Sequence, residues 1–97
     1  MLSRKLLHAV PFVENMRSGN GNYVPNQFVI YTKENSYFQS YSTIIAAKVG
    51  GKIYLDANKW DYSITTGKYR NKFLGMNKKE TLAAIDAGKI ELVDLNV

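Results

Sequence analysis

The fold of this chain is decided by the segment Trp60-Asp61-Tyr62-Ser63-Ile64-Thr65-Thr66-Gly67-Lys68-Tyr69-Arg70-Asn71-Lys72-Phe73-Leu74-Gly75. Before it, short β-prone runs alternate apolar and polar residues, whereas this segment spaces its apolar residues as a helix does. We expect Thr65 to cap the helix and Gly75 to end it. A second helix should follow at once, because Asn77 and Glu80 have the spacing of a capping box. Leu82 and Ile85 are expected to face the core from that second helix.

The residues on either side of the two helices predict a sheet. β-Prone runs lie at residues 27–32, 37–41, 43–49, 52–56, 59–62 and 89–95. The run 43–49 fits either a separate strand or a bent extension of the preceding one. The last run is apolar on both sides, which is typical of a central strand. The sequence therefore predicts an α+β fold, with a mostly antiparallel sheet of about five strands and two short helices near the C-terminal end.

The chain length and its turn-forming residues predict the domain organisation. Ninety-seven residues fit a single domain, 1–97. Residues 15–26 are rich in asparagine and glycine and predict a flexible loop within it. Met16, Arg17 and Tyr23 on this loop could contact a partner, although a mobile connector is the favoured interpretation. Residues 2–13 fit a helical face in one half and an extended segment in the other.

Composition excludes several kinds of site. The chain has no cysteine, so disulfides and thiolate metal sites are excluded. Its single histidine, His8, is a poor basis for a metal site or a catalytic triad. The apolar run at the N-terminus is too short for a signal peptide or a membrane span. We therefore expect a soluble, intracellular protein with no membrane partner and no cofactor.

The formal charge of +5 is confined to one part of the sequence. Residues 59–79 hold six basic side chains and one acid, whereas the rest of the chain is balanced. A local basic surface with aromatic side chains indicates a polyanionic partner, such as DNA or RNA. The candidate binding residues are Lys59, Trp60, Lys68, Arg70, Lys72, Lys78 and Lys79.

Helical spacing divides this basic segment into two faces. Lys68 and Lys72 are four residues apart and should share a solvent-facing stripe. Tyr69 and Phe73 form the adjacent stripe and, with Leu74, should pack on the sheet. Trp60 could stack on a base or anchor a protein interface, but burial between sheet and helix is the favoured interpretation.

The chain lacks the residue patterns of common catalytic sites. Asp56 and Asp61 have no third acidic partner nearby, so neither a two-metal site nor a glycosidase carboxyl pair is indicated. Gly67-Lys68 resembles the end of a phosphate-binding loop, but Tyr69 stands where serine or threonine is required. We therefore expect no enzymatic activity and no metal.

Two blocks of sequence carry a resemblance to a known kind of domain. They are Phe38-Gln39-Ser40-Tyr41 with Ile44-Ile45-Ala46, and the segment from Trp60 to Leu74. Together they resemble a small domain of uncharacterised function found in bacteriophage-encoded proteins, over about residues 26–75. The resemblance implies a small phage accessory protein that acts in the bacterial cytoplasm.

Three functional hypotheses follow from the charge and the resemblance. The first is a phage protein that binds and inhibits a host protein or ribonucleoprotein, such as a defence effector. The second is a nucleic-acid-binding protein that uses the basic patch at residues 59–79. The third is a structural homo-oligomer built through an exposed strand edge.

Overall fold

The computed structural model describes residues 12–96, so the expectations for residues 2–11, including His8, lie outside the described part. The elements are β1 (Phe12–Arg17), β2 (Tyr23–Tyr31), β3 (Ser36–Ser40), β4 (Thr43–Val49), β5 (Lys52–Asp56), α1 (Ile64–Leu74), α2 (Lys78–Asp86) and β6 (Ile90–Val93). The predicted α+β class and the two helices near the C-terminal end are confirmed. No helix within residues 12–96 is long and apolar enough to cross a membrane.

Within residues 12–96 the sheet has six strands, one more than predicted, and they lie side by side in chain order. Neighbours from β1 to β5 are antiparallel, whereas β6 runs parallel to β5, so the sheet is mixed. The prediction of a central last strand was wrong, because β6 lies at the edge. The two helices carry the chain back along the sheet, which places the start of β6 beside the start of β5.

The segment predicted as a flexible loop, residues 15–26, belongs largely to the β1–β2 hairpin. Only residues 18–22 lie between the strands, closed by a hydrogen bond from the Ser18 amide to the Asn22 carbonyl at 2.8 Å. The asparagines, which suggested a loop, stabilise the irregular backbone of this hairpin. Asn15 donates to the Val24 carbonyl at 2.8 Å, and Asn26 adopts a φ of 65° next to the register shift. Such residues tolerate the left-handed region and satisfy bulged backbone.

Residues 59–62, one of the β-prone runs, form a turn and not a strand. The Asp56 carbonyl accepts hydrogen bonds from the amides of Lys59 at 3.3 Å and Trp60 at 3.0 Å. The chain therefore forms a hydrogen-bonded turn directly after β5, and this turn leads to the start of α1.

The helix ends follow standard capping chemistry. Ser63, two residues before the predicted cap, accepts a hydrogen bond from the Thr66 amide at 3.1 Å. Gly75 ends α1 with a φ of 72°, as predicted. Asn77 and Glu80 form the predicted capping box of α2, with bonds of 2.8 and 2.9 Å.

Both helices pack on one face of the sheet. The buried cluster between them and the sheet consists of Phe38, Ile45, Ala46, Leu55, Tyr69, Leu74 and Ile90. Tyr69, Phe73 and Leu74 face it as predicted, and Ile85 packs against it. Leu82 does not, because the side chain of Thr81 is buried in its place and leaves Leu82 43% exposed. The opposite face of the sheet carries half-buried apolar side chains such as Phe28 and Tyr37.

Candidate functional site

The structure divides the seven predicted binding residues into three groups. Five lysines are exposed to solvent: Lys59, Lys68, Lys72, Lys78 and Lys79. Trp60 is half-buried against the core, and Arg70 is only 1% exposed. The assignment of Arg70 to an open basic surface was therefore wrong.

Arg70 holds the turn after β5 against α1. Its Nη1 donates to the Trp60 carbonyl at 2.7 Å and to Asp61 Oδ1 at 3.2 Å, and its Nη2 donates to Asn71 Oδ1 at 2.9 Å. The guanidinium also lies 5.1 Å from the centre of the Trp60 ring. A buried arginine with these partners has a structural task, since its charge is matched by a carboxylate and a carbonyl.

Asp61 joins Arg70 to a second cation. Lys78 Nζ lies 2.7 Å from Asp61 Oδ2, on the side of the carboxylate away from Arg70. The hydrogen bond from Lys78 lowers the pKa of Asp61, and Arg70 adds to this effect against the opposing effect of burial. The single acid of the basic segment is therefore neutralised within the fold.

Lys68 and Lys72 share the solvent face of α1, as their spacing predicts. Their ammonium groups lie 5.6 and 5.9 Å from the centre of the Tyr69 ring. Lys72 Nζ also donates to the backbone carbonyl of Arg17 at 2.6 Å. This contact joins the end of α1 to the β1–β2 hairpin and brings a cation from far away in the sequence beside the lysine pair.

A groove opens where this contact meets the sheet. As far as residues 12–96 define it, the groove has a volume of about 980 Å³ and lies between β1, the ends of β2 to β4 and the last turn of α1. Its cations are Arg17, Lys48 and Lys72, and Glu14 is its one carboxylate among the described residues. The groove is therefore electropositive.

Among residues 12–96, the cations of the groove have fewer hydrogen-bond acceptors than donors, so donors remain that can bind an anion. Lys48 Nζ donates once, to the Phe73 carbonyl at 2.7 Å, and lies 4.6 Å from the centre of the Phe73 ring. Lys72 likewise makes one bond, whereas an ammonium carries three N–H groups. Arg17 donates to the Gly21 carbonyl at 2.9 Å and to the Tyr23 hydroxyl at 2.6 Å, which leaves part of its five-donor guanidinium available.

Aromatic side chains line the same groove. Tyr23 is 62% exposed, with the Arg17 guanidinium 4.0 Å from its ring centre. Phe12 stacks on Tyr31 with ring centres 4.9 Å apart. Burial and the nearby Glu14 carboxylate raise the pKa of Tyr31, so its hydroxyl stays protonated. The groove thus offers flat apolar surfaces beside positive charge.

The sequence pointed to only part of this groove. Lys72 was predicted, and Arg17 and Tyr23 were noticed as contact residues on a supposed loop. Lys48 was missed, because it is the one charged residue in an apolar strand. Only the pairing of β2 with β3 and of β3 with β4 brings it near the β1–β2 hairpin. In the part of the chain that the structure describes, no group of three or more histidine, cysteine or acidic side chains could hold a metal ion.

Comparison with known proteins places this chain in a family. Residues 13–90, from β1 to the first residue of β6, match the model of a family of unknown function, DUF8033. The chain belongs to this family. No curated protein and no solved structure matches it. Membership in DUF8033 agrees with the expectation of a domain of uncharacterised function, and the expected phage origin stays a prediction.

Proposed function

We propose that this DUF8033 protein is a non-enzymatic binding protein whose groove takes up single-stranded nucleic acid. The observation that carries the proposal is the hydrogen bond from Lys72 to the Arg17 carbonyl. It makes the lysine pair on α1 continuous with the cations and aromatic rings of the groove. A single strand of nucleic acid could then follow one path from Lys68, past Lys72, into the groove.

The charges on this path suit a phosphate backbone. Lys68, Lys72 and Arg17 are exposed, and Lys48 is half-buried at the groove wall. Lysine and arginine side chains bind phosphates mainly through charge, without reading the base sequence. The neutralisation of Asp61 by Arg70 and Lys78 leaves Glu14 as the only nearby repulsive charge among the described residues.

The aromatic rings favour a single strand over a duplex. A base can stack on Tyr23 or Phe12 only when its own face is free, and a duplex buries those faces. The Arg17 guanidinium stacked on Tyr23 adds a second planar surface next to a positive charge. Stacking of this kind accepts every base, so we expect little sequence preference.

Binding to a labelled oligothymidine, followed by fluorescence anisotropy, tests the proposal. We expect Tyr23→Ser to weaken binding by about 1–3 kcal/mol, the usual value of a base stacked on an aromatic ring. Lys72→Gln should weaken it as well, by removing one phosphate contact. Lys89→Gln is the matched control, because Lys89 is exposed in the turn between α2 and β6, away from the groove. The proposal falls if neither groove variant differs from this control.

The two other hypotheses remain proposals of lower rank. Inhibition of a host protein or ribonucleoprotein by a phage accessory protein calls for a protein-binding surface, which the groove does not supply by itself. A homo-oligomer would use the sheet edges at β1 and β6. Light scattering at high protein concentration tests that idea, and a monomer would remove it.

A further inference from the structure

A second surface, separate from the groove, is formed by two apolar side chains at the start of α1. Ile64 is 93% exposed and Tyr62, two residues earlier, is 45% exposed. The core side of α1 consists of other residues, among them Tyr69 and Leu74. Neither Ile64 nor Tyr62 therefore contributes to the packing that holds α1 on the sheet.

The backbone that presents Tyr62 and Ile64 is held on both sides. Ser63, between them, caps α1 through the Thr66 amide at 3.1 Å. Arg70 fixes the preceding residues through the Trp60 carbonyl at 2.7 Å. A preorganised backbone loses little entropy on binding, so the two side chains are suited to act as anchors.

Positive charge surrounds this pair. Lys59 Nζ lies 5.3 Å from the centre of the Tyr62 ring. Lys68 and Lys78 border, together with Tyr62 and Ile64, a shallow cavity of about 590 Å³. The nearest carboxylate, Asp61, is already paired with Arg70 and Lys78.

We propose that Tyr62 and Ile64 insert into an apolar socket on a protein partner whose rim is acidic. The surrounding lysines would face the carboxylates of that rim, which speeds encounter and excludes basic partners. A single exposed isoleucine is ordinary on a protein surface. An isoleucine that lines the same cavity as an exposed aromatic ring, on a fixed backbone and with lysines at the border, has the composition of an interface centre with a charged periphery.

The chemistry of Ile64 separates this surface from the nucleic-acid path. An aliphatic side chain has neither a donor for phosphate nor a flat face on which a base can stack, so it does not supply the contacts proposed for the nucleic-acid path. The inference does not depend on the groove, since Tyr62 and Ile64 do not line it. Either surface can fail its test while the other passes.

Selection from a displayed random-peptide library on the immobilised full chain tests this inference. We expect the enriched peptides to combine large apolar residues with flanking aspartate or glutamate. A synthetic peptide of the enriched sequence should bind Ile64→Asp at least about tenfold more weakly than the unaltered chain, which is typical of losing an interface anchor. Tyr62→Ser should also weaken binding, whereas Lys89→Gln should not.

The variants are chosen so that every result is informative. Aspartate in the first turn of a helix interacts favourably with the helix dipole, so Ile64→Asp should keep the melting temperature. It removes the apolar contact and places a charge that repels the acidic rim. The inference is overturned if no peptides are enriched, or if the enriched peptide binds Ile64→Asp equally well. Ile64-dependent self-association in sedimentation would also overturn it, because the occupant would then be a second copy.

Discussion

Arg70 is a cation that stabilises the fold and does not offer its charge to solvent. The sequence places it between Lys68 and Lys72, where its residue type alone suggests a basic surface. At about 100° per residue, helical geometry places Arg70 about 160° away from both lysines, on the side of the helix that faces Trp60 and Asp61. The number of charged residues could therefore be read from the sequence. The contacts of Arg70 could not, because they depend on the turn at residues 59–62, which was predicted as a strand.

Replacement of Arg70 by methionine should lower the free energy of unfolding by about 2–3 kcal/mol. This is less than for a fully buried ion pair, because the side chain of Asp61 is 32% exposed and Lys78 still neutralises it. Urea denaturation measures the change. Lys78→Met is the matched control, since it removes the exposed cation from the same carboxylate and should cost less than about 1 kcal/mol. Equal losses in both variants would contradict the structural role of Arg70.

Gln27 is a buried residue whose side-chain amide has no hydrogen-bond partner among residues 12–96. An unpaired buried amide costs about 1–3 kcal/mol. Gln27→Met keeps the length of the side chain and removes both polar atoms, so we expect it to raise the free energy of unfolding by a similar amount. Thermal and urea unfolding provide the measurement. A loss of stability would show that the amide has a partner, such as a buried water.

Asp56 and Asp61 should make the protein sensitive to acid. Burial of Asp56 opposes its ionisation, but hydrogen bonds from Leu95, Asn96 and Asn58 outweigh burial and lower its pKa. The pKa of Asp61 is lowered too. Both carboxylates then bind protons more weakly in the folded than in the unfolded chain, so they stabilise the fold above about pH 4, the usual aspartate pKa. This stability is lost as the pH falls through the lowered values.

Urea unfolding at neutral and at acidic pH tests this dependence. Asp56→Asn should be less stable than the unaltered chain at neutral pH. The difference between the two should shrink as the pH falls below about 4, because acid removes the same charge. A constant difference across this range would contradict the assignment to Asp56.

At the scale of elements, local sequence predicted helix ends better than it predicted strands. Gly75 and the pair Asn77 and Glu80 act through neighbours within a few residues, and all three were predicted. The β1–β2 hairpin was missed, because its strands are irregular and its stabilising bonds, such as that from Asn15 to Val24, join residues nine positions apart. The position of β6 was missed because it depends on where the helices return the chain.

Two glycines, one inside α1 and one just after its last residue, should respond to alanine in opposite directions. Gly67 lies inside the helix, and a Cβ there would meet the Arg70 guanidinium at 3.6 Å, an ordinary contact. Gly67→Ala should therefore stabilise the protein by about 0.5–1 kcal/mol through helix propensity. Gly75 has a φ of 72°, so Gly75→Ala should destabilise it by about 1 kcal/mol. Thermal unfolding of both variants measures the effects, and destabilisation by Gly67→Ala would mean that Arg70 needs the space.

At the scale of the whole molecule, the fold converts a linear run of charge into two separate surfaces. Lys72 belongs to the groove, Lys59 and Lys78 lie near Tyr62 and Ile64, and Lys68 lies between the two surfaces. The sequence predicted that this part of the chain binds an anion, but not that Arg17 and Lys48 complete one of the surfaces. Those residues lie far from Lys72 in sequence, and only the sheet register and the bond from Lys72 to Arg17 bring them together.

The salt dependence of oligothymidine binding tests the central proposal most directly. Contacts from three or four cations predict a slope of log Kd against log salt of about 2–3, since each phosphate contact to a single strand contributes about 0.7. Lys72→Gln should reduce the slope by about 0.7, and Lys89→Gln should leave it unchanged. An absence of binding at about 50 mM salt, or a slope that Lys72→Gln does not alter, would contradict the assignment of the groove to nucleic acid.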